Sequence, residues 1–321
     1  MKGRNRRLRL EDAERFCRDG SVVISGFESM TLDAARELSW HEGHLDLDGL
    51  RRLDVATAEV LAMHRGKLSL GLPTLSERLA GALAGHRGCL VFTKLRRLTH
   101  EAARRLSRHD GSLDFMSLEA LPSRSALALS AYRGGLGIWG LDRLPPPAAR
   151  NLAKFKGGHL LIGIRRLSPD SAKALALFKG YLWIWDLRRI GPAVARGLAG
   201  KRGCLVLDIE SLSPKTAEAL SGHVGALECN SLERLTPRTA RALSAHRGRL
   251  ELGGLETVSA ETARALSAHR GPLSLTGIRY LSREAATALS RHRGVEMDLS
   301  ALDRSHDAED RTPSNHDGKW R

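Results

Sequence analysis

The chain has 321 residues, a formal net charge of +15 and only 4% aromatic residues. The sequence holds no run of 18 apolar residues that could span a membrane, and its basic N-terminus lacks the apolar segment of a secretory signal. We therefore expect a cytoplasmic protein without a membrane span, and the positive charge favours an anionic partner.

The first 20 residues are predicted to form an N-terminal cap. They are basic, and residues 8–20 have the pattern of a single helical half-repeat in which Ala13 and Phe16 take the apolar positions. We expect residues 1–20 to form a basic N-terminus and a capping helix.

Beyond this segment, a glycine recurs at intervals of 22 or 23 residues. Self-similarity at a fixed period between 20 and 50 residues predicts a solenoid of stacked repeats. Residues 21–302 are therefore expected to form about 12 copies of one unit. The repeated glycines are Gly43, Gly66, Gly88, Gly111, Gly134, Gly157, Gly180, Gly203, Gly225, Gly248, Gly271 and Gly294.

Each copy begins with a predicted strand. In the reference copy, residues 249–271 counted as positions 1 to 23, Leu250 and Leu252 stand at positions 2 and 4. Glu251 and Gly253 alternate with them. This two-residue period is that of a strand with one buried face, so positions 1, 3 and 5 are predicted to face outward.

A short helix is predicted from position 11 onward. Ser259 has the hydroxyl that caps the free amides of a first turn, and Ala263 and Leu266 lie three residues apart on one helical face. Gly271 at position 23 is predicted to supply a left-handed exit. In four copies a proline follows the cap, where its missing N–H is tolerated: Pro169, Pro192, Pro214 and Pro237.

Together these elements predict an α/β fold. One strand and one short helix cannot bury their apolar faces alone, whereas stacked copies bury a continuous core. We expect an open solenoid of about 12 strand-turn-short-helix units, with a parallel sheet on the concave side and the wider helices on the convex side.

The unit resembles the repeat of bacterial leucine-rich-repeat solenoid proteins, over roughly residues 8–302. It departs from that family where the family usually places Asn or Cys after the strand, because this chain has Leu255 or Ile209 there. The resemblance therefore implies the fold without its hydrogen-bonded asparagine ladder. The pattern is carried by Gly271, Leu273, Leu275, Gly277, Ile278 and Leu281.

Aromatic residues break the repeat in one region. Trp139, Tyr181, Trp183 and Trp185 stand at outward strand positions, and a contiguous exposed aromatic surface favours a binding site. In the copy between them, the sequence allows either Leu160 and Ile162 or Leu161 to face outward. The choice depends on whether His159 takes a leucine position or is an insertion.

This region predicts a non-enzymatic scaffold that binds a protein or peptide of basic or mixed charge. Asp114, Asp186 and Asp208 are the acidic residues expected beside the tryptophans. Alternatively, the aromatic patch packs on the C-terminal tail or on a second copy of the chain. The alternative function is binding of nucleic acid or another polyanion, with phosphates held at Arg165, Arg166, Arg188 and Arg189.

Position 21 is a histidine in most copies. Metal ligands must converge on one point, whereas this series places one imidazole in each copy along the array. We therefore predict structural histidines with a modest sensitivity to pH, and neither a metal nor a cofactor. The series is His41, His64, His86, His109, His223, His246, His269 and His292.

Enzymatic motifs are weak. Residues 135–140 match the G-x-G-x-x-G pattern, but they fall on a repeat strand instead of opening a helix. The cysteines Cys17, Cys89, Cys204 and Cys229 lack metal-ligand spacing and are expected to be reduced thiols. We predict that the protein is not an enzyme.

The C-terminus is predicted to close the array with one strand and to continue as a tail. Residues 303–321 are polar and aperiodic, which is typical of disorder. The last strand is predicted from Val295, Met297, Leu299 and Leu302.

Overall fold

A computed structural model describes residues 6–292 and 294–297. Strands and helices alternate along this part of the chain, with a short 3-10 turn at Ile24–Gly26. The strands are β1 Arg7–Leu8, β2 Ser29–Met30, β3 Leu45–Leu47, β4 Leu68–Leu70, β5 Cys89–Phe92, β6 Ser112–Phe115, β7 Gly135–Arg143, β8 His159–Arg166, β9 Tyr181–Trp185, β10 Leu205–Leu207, β11 Leu227–Glu228, β12 Leu250–Glu251, β13 Leu273–Ser274 and β14 Val295–Glu296. The helices are α1 Leu10–Asp19, α2 Leu32–Ser39, α3 Val55–Leu61, α4 Glu77–Leu83, α5 His100–Leu106, α6 Ser123–Leu129, α7 Pro146–Leu152, α8 Pro169–Leu175, α9 Pro192–Ala199, α10 Pro214–Leu220, α11 Pro237–Leu243, α12 Ala260–Leu266 and α13 Arg283–Leu289.

Strands β3 to β14 form one 12-stranded parallel sheet in chain order. Strands pair through the same positions of neighbouring copies, as Leu250 does with Leu273, except that β7 and β8 shift register by one residue after Ile138. The helices pack side by side, each on the next. Because packed helices need 8–10 Å and paired strands about 4.8 Å, the sheet takes the concave side. The predicted open α/β solenoid is confirmed.

The core lies between the two layers. Leu182 and Ile184 of β9 are fully buried, as are Ala195 and Leu198 of the helix that comes after it. The predicted alternation therefore holds. The predicted caps are also found: the Ser259 hydroxyl accepts from the backbone N–H of Thr262 at 3.1 Å.

Position-23 glycines have a different role from the one predicted. Most do not adopt a positive φ; among the described ones at this position, only Gly43 and Gly203 do. The remainder, apart from Gly294, lie against the backbone of the preceding copy instead. A Cβ on Gly111, for example, would stand 2.1 Å from the carbonyl oxygen of Gly88. Close stacking of the backbones therefore requires glycine, and the predicted left-handed exit is wrong for these copies.

Position 21 forms a continuous column of side chains between the helices and the sheet. Neighbouring histidine rings are nearly parallel, with centroids 5.8 to 6.5 Å apart and interplanar angles of 1 to 15°. The column also includes members that the histidine pattern did not reveal. They are Tyr132, Phe155, Phe178 and Lys201.

Hydrogen bonds tie this column to the backbone. Nε2 of His64 donates to the carbonyl of Gly43, the position-23 glycine of the preceding copy, at 3.0 Å. His109 and His269 make the same bond, each at 3.1 Å, and the Tyr132 hydroxyl donates to Gly111 at 2.6 Å. The column thus links successive copies, in a chain that lacks the asparagine ladder.

The N-terminal segment covers the first full repeat. Strand β1 pairs with β2 in a separate two-stranded sheet, and α1 packs on α2 with Ala13 fully buried. At the other end, β14 contains the predicted Val295. The predicted strand residues Leu299 and Leu302, and the tail at 303–321, lie outside the described residues.

Candidate binding surface

The strand register around β8 is settled by its pairing. His159 pairs with Tyr181 and Leu161 with Trp183, so Leu161 faces outward, while Leu160 and Ile162 are fully buried. His159 therefore occupies position 1. Strands β7 and β8 are also the longest of the sheet, with nine and eight residues. The aromatic region spans β7 to β9, with Trp139 on β7 and the other three aromatic residues on β9.

Three indoles form one cluster on this face. The Trp183 and Trp185 centroids are 5.5 Å apart with planes at 76°. Trp139 is 6.4 Å from Trp183 and 6.3 Å from Trp185, again nearly perpendicular to each. Trp185 remains 43% exposed, and Trp139 and Trp183 are half-buried. The edge-to-face packing fixes the rings and leaves apolar surface facing solvent.

Two glycines make room for Trp139. A Cβ on Gly163 would stand 3.2 Å from its indole carbon Cε3. At Gly137 a Cβ would fall 2.8 Å from the indole nitrogen and 1.9 Å from Oδ1 of Asp114. The small residues at these outward positions therefore leave room for the indole, whose nitrogen lies beside Gly137 of β7 and whose Cε3 lies beside Gly163 of β8.

Asp114 forms one flank of the cluster. Burial raises the pKa of its carboxyl, and the Cys89 thiol lies 3.8 Å from Oδ2. Nε1 of Trp139 is buried beside it without a hydrogen bond of good geometry. This flank is consequently desolvated and packed.

The opposite flank is open and acidic. A depression of about 850 Å³ begins at Trp185 and extends along the segments that follow β9 to β12. Asp208 accepts from the backbone N–H of Asp186 at 3.3 Å and from the hydroxyl of Ser231. Carboxylates outnumber guanidinium groups along the depression, which is lined by Asp186, Asp208, Glu210, Glu233 and Glu256, and by Arg188 and Arg234.

Three of the four arginines predicted to hold phosphates are instead paired with carboxylates. Arg165 lies 3.6 Å from Asp186, and Nε of Arg166 donates to Asp142 at 3.2 Å. Arg188 lies between Asp186 at 4.0 Å and Glu210 at 3.5 Å. These side chains are about 70% exposed, so each pair contributes little stability, but it neutralises charge that a phosphate would need.

Arg189 differs from the other three. Among the described residues it has no ion-pair partner. One cation without a converging neighbour is a weak phosphate site.

The Cys204 thiol beside this face is not an activated nucleophile. Burial, and then the hydrogen bond of 3.1 Å to Glu228, raises the pKa of Cys204 to about 12. A thiol is reactive only as the thiolate. Within the described ranges, no group of three or more His, Cys, Asp or Glu side chains is arranged to hold a metal ion. Nor could any helix there cross a bilayer, since the longest has 10 residues and a span needs about 20.

Sequence reasoning identified the aromatic residues of the surface and missed the groups that shape it. Gly137, Gly163 and Glu228 were not assigned to the binding surface, although strand alternation places Glu228 outward. The first two carry a signal in the sequence, because glycine at outward strand positions beside a tryptophan marks close approach. Glu228 lies near the aromatic residues because only β10 separates its strand, β11, from β9 in the sheet.

Neither a protein-family profile nor a curated protein sequence matches the chain. Among solved structures, similar ones include a leucine-rich-repeat protein of Leptospira interrogans, with 16% identity over 83% of this chain and 86% of that one and a TM-score of 0.35. An internalin of Listeria monocytogenes has 15% identity over 90% and 94%, with a TM-score of 0.40. The leucine-rich repeat domain of APL1B has 13% identity over 84% and 89%, with a TM-score of 0.36.

The chain's own repeat and its sheet define the fold class. One parallel strand and one helix per copy of 22 or 23 residues, stacked in chain order, make it a leucine-rich-repeat-like solenoid.

Proposed function

We propose that the protein is a non-enzymatic scaffold that binds a protein or peptide segment on the concave face of its sheet. The observation that carries this proposal is the cluster of Trp139, Trp183 and Trp185, whose rings are held against one another and remain partly open to solvent. Tryptophan is favoured at the centres of interfaces, because it buries a large surface with few rotatable bonds.

The electrostatics favour a segment that combines apolar and basic residues. The depression that continues from Trp185 carries more carboxylates than guanidinium groups. An apolar side chain on the indoles and basic residues over Asp208 and Glu233 would match both parts of the surface. A second copy of this chain is an alternative occupant, because its net charge of +15 also suits an acidic surface. The oligomeric state in solution distinguishes this case from binding of a separate partner.

A polyanion is the competing partner. The pairing of Arg165, Arg166 and Arg188 with carboxylates argues against it. The remaining candidates for such binding are the basic residues at position 22, of which Arg65 lies beside α3 and α4. Binding held by phosphate contacts must weaken steeply with salt as counterions are released. Binding anchored by the indoles should change little.

The test is selection of displayed random peptides on the intact protein, followed by affinity measurements on variants. We expect Trp183→Ala and Trp185→Ala each to cost the selected peptides on the order of 2 kcal/mol while the protein stays folded. Trp40→Ala is the matched control, because Trp40 is 78% exposed and lies outside the sheet, at the end of α2.

Three outcomes would overturn the proposal. The first is a set of peptides whose binding ignores both indole changes. The second is binding that is abolished by a triple change to Gln at Arg65, Arg247 and Arg270, or by moderate salt, which would assign the protein to polyanion binding. The third is a dimer in solution that dissociates when Trp183 and Trp185 are replaced.

A further inference from the structure

A small recess opens beside the tryptophan cluster, between β9 and β11. Its volume is about 230 Å³, below the roughly 300 Å³ at which pockets for whole small molecules begin. It is therefore of a size for one side chain of a bound segment. Its lining includes Tyr181, Trp183, Trp185, Asp208 and Glu228.

One wall of the recess is aromatic. Tyr181, Trp183 and Trp185 are alternate residues of β9, so their side chains leave the same face of the sheet. Both indoles line the recess, with their planes at 76° to each other, and an indole has an electron-rich face on each side of its ring. Such a face attracts a cation through its π-electrons, most strongly when the ring is that of tryptophan.

The facing wall carries two carboxylates, Asp208 and Glu228. Neither has an ion-pair partner among the described residues, in contrast to the nearby Glu251, which pairs with Arg249 at 2.5 Å. From the part of the chain that the structure describes, the Glu228 carboxylate accepts one side-chain hydrogen bond, from the weak thiol donor of Cys204. Burial, and then the nearby charge of Glu228, raises the pKa of Tyr181 to about 12, which is the response expected of a phenol in a negative field.

We infer that this recess is a binding site for one arginine side chain of the segment held on the concave face. The inference rests on the proposed function and names a residue of the partner. A guanidinium group is planar, so it stacks on the Trp183 or Trp185 ring while its edge donates to Glu228 or Asp208. A lysine ammonium could satisfy the carboxylates but would not stack as a plane.

The test uses Nα-acetyl-arginine amide as the probe and the folded full chain. Binding is followed through the indole N–H signals of Trp183 and Trp185 by NMR, assigned with single Trp→Phe variants, and Trp40 serves as an internal reference. We expect millimolar binding that shifts the two cluster signals and leaves Trp40 unchanged. Nα-acetyl-citrulline amide, which has the same shape without the charge, should bind at least about ten-fold more weakly, because a hydrogen bond to a charged group contributes on that scale.

Two substitutions separate the recess from its surroundings. Glu228→Gln should weaken the arginine probe about ten-fold, whereas Glu251→Gln, at the same position of the adjacent strand, should change it less than two-fold because its charge is already paired. Intact indole signals in both variants show that the fold is retained.

Absence of a cluster shift with the arginine probe would overturn the inference, as would equal binding of the citrulline amide or tighter binding of Nα-acetyl-lysine amide. These results are distinct from a failure of the proposed function. Peptides that depend on Trp183 but lack arginine, together with a silent arginine probe, would refute the recess alone. Arginine binding without any peptide that depends on the cluster would refute the scaffold proposal.

Discussion

The ammonium group of Lys201 lies 5.8 Å from the centroid of the Phe178 ring. It occupies the column that an imidazole, phenol or phenyl ring fills in the neighbouring copies, and its side chain is fully buried. Its Nζ donates to the carbonyl of Arg202. Burial lowers the pKa of this ammonium, because a charged group loses hydration there. Lys201 is therefore the position of the column at which burial of a charged group opposes stability.

We predict that Lys201→His stabilises the protein. An imidazole would continue the ring column between Phe178 and His223 and would keep a hydrogen-bond donor, without burying a permanent charge. The expected gain in the free energy of unfolding is about 1 kcal/mol at pH 8, measured by urea denaturation. A loss of stability would show that the cation–π contact and the bond to Arg202 outweigh the desolvation of the ammonium.

The buried histidines predict loss of stability in mild acid. Burial is the main cause that lowers the pKa of six imidazoles from 6.5. Below that pH the unfolded chain binds more protons than the folded one, so the free energy of unfolding falls as the pH decreases. Well above pH 6.5 these imidazoles are neutral in both states, so they no longer make the free energy of unfolding depend on pH. The six are His64, His86, His109, His223, His246 and His269.

Other groups contribute outside this window or with opposite sign. Hydrogen bonds from Thr57 lower the pKa of Asp54 from 3.8, so its stabilisation is lost only in stronger acid. Burial raises the pKa of Asp114, so the folded state gains stability as this carboxyl is protonated in acid. That one carboxyl acts against the loss of stability from six imidazoles. Denaturation followed from pH 8 to 5 should therefore show falling stability. A flat profile would contradict the burial of the column.

His246→Phe tests one member of the column directly. Phe155 and Phe178 show that a phenyl ring fits the position, so the variant should be within about 1.5 kcal/mol of the parent at pH 8 and should lose less stability on acidification. His246→Ala should cost about 2–4 kcal/mol at either pH, because it leaves a cavity between His223 and His269. Equal effects of the two changes would mean that the ring volume is unimportant.

The sequence predicted the fold well because the same local signals recur in every copy. Alternation at Leu250 and Leu252 and the Ser259 cap each specify one element, and repetition removes the ambiguity of any single copy. The column was predicted only in part. Its histidines were recognised because the same residue type recurs. Tyr132 and Lys201 share with them only the position and the burial, and burial depends on contacts with the neighbouring copies.

The sequence predicted the tryptophans of the candidate surface but not the contacts that they and their neighbours make. Strand alternation was enough to place Trp183 and Trp185 outward. It could not show that Trp139 reaches across β8 over Gly163, or that Arg165 turns to Asp186. Such contacts join different strands, and their geometry depends on rotamers that a repeat pattern does not specify.

Two glycines predict opposite responses to alanine. A Cβ at Gly111 would stand 2.1 Å from the carbonyl oxygen of Gly88, whereas Gly158 has no atom within 4 Å of that place, and neither has a positive φ. Gly111→Ala should therefore destabilise by about 2–3 kcal/mol or more. Gly158→Ala should be neutral or stabilise by up to about 1 kcal/mol. Urea denaturation measures both, and similar losses would argue against backbone contact at position 23.

Deletion of one whole copy tests whether stability is local. Removing residues 249–271 takes out β12 and α12, and it brings β11 beside β13 with every position still matched, since Leu227 and Leu273 both occupy position 2. His246 would then meet His292 in the column. Because each copy contacts only its neighbours, we expect a folded, shorter solenoid whose aromatic surface is unchanged.

The matched control removes only residues 249–260, which deletes the strand and retains most of the helix. The remaining half-copy would leave α12 without its strand and would force β11 and β13 to pair across an extra helix, so we expect unfolding of the C-terminal copies. Circular dichroism and urea denaturation distinguish the stabilities of the two deletion variants. Collapse after the whole-copy deletion would show that distant copies depend on one another, and tolerance of the half-copy deletion would show that strand register does not hold the stack together.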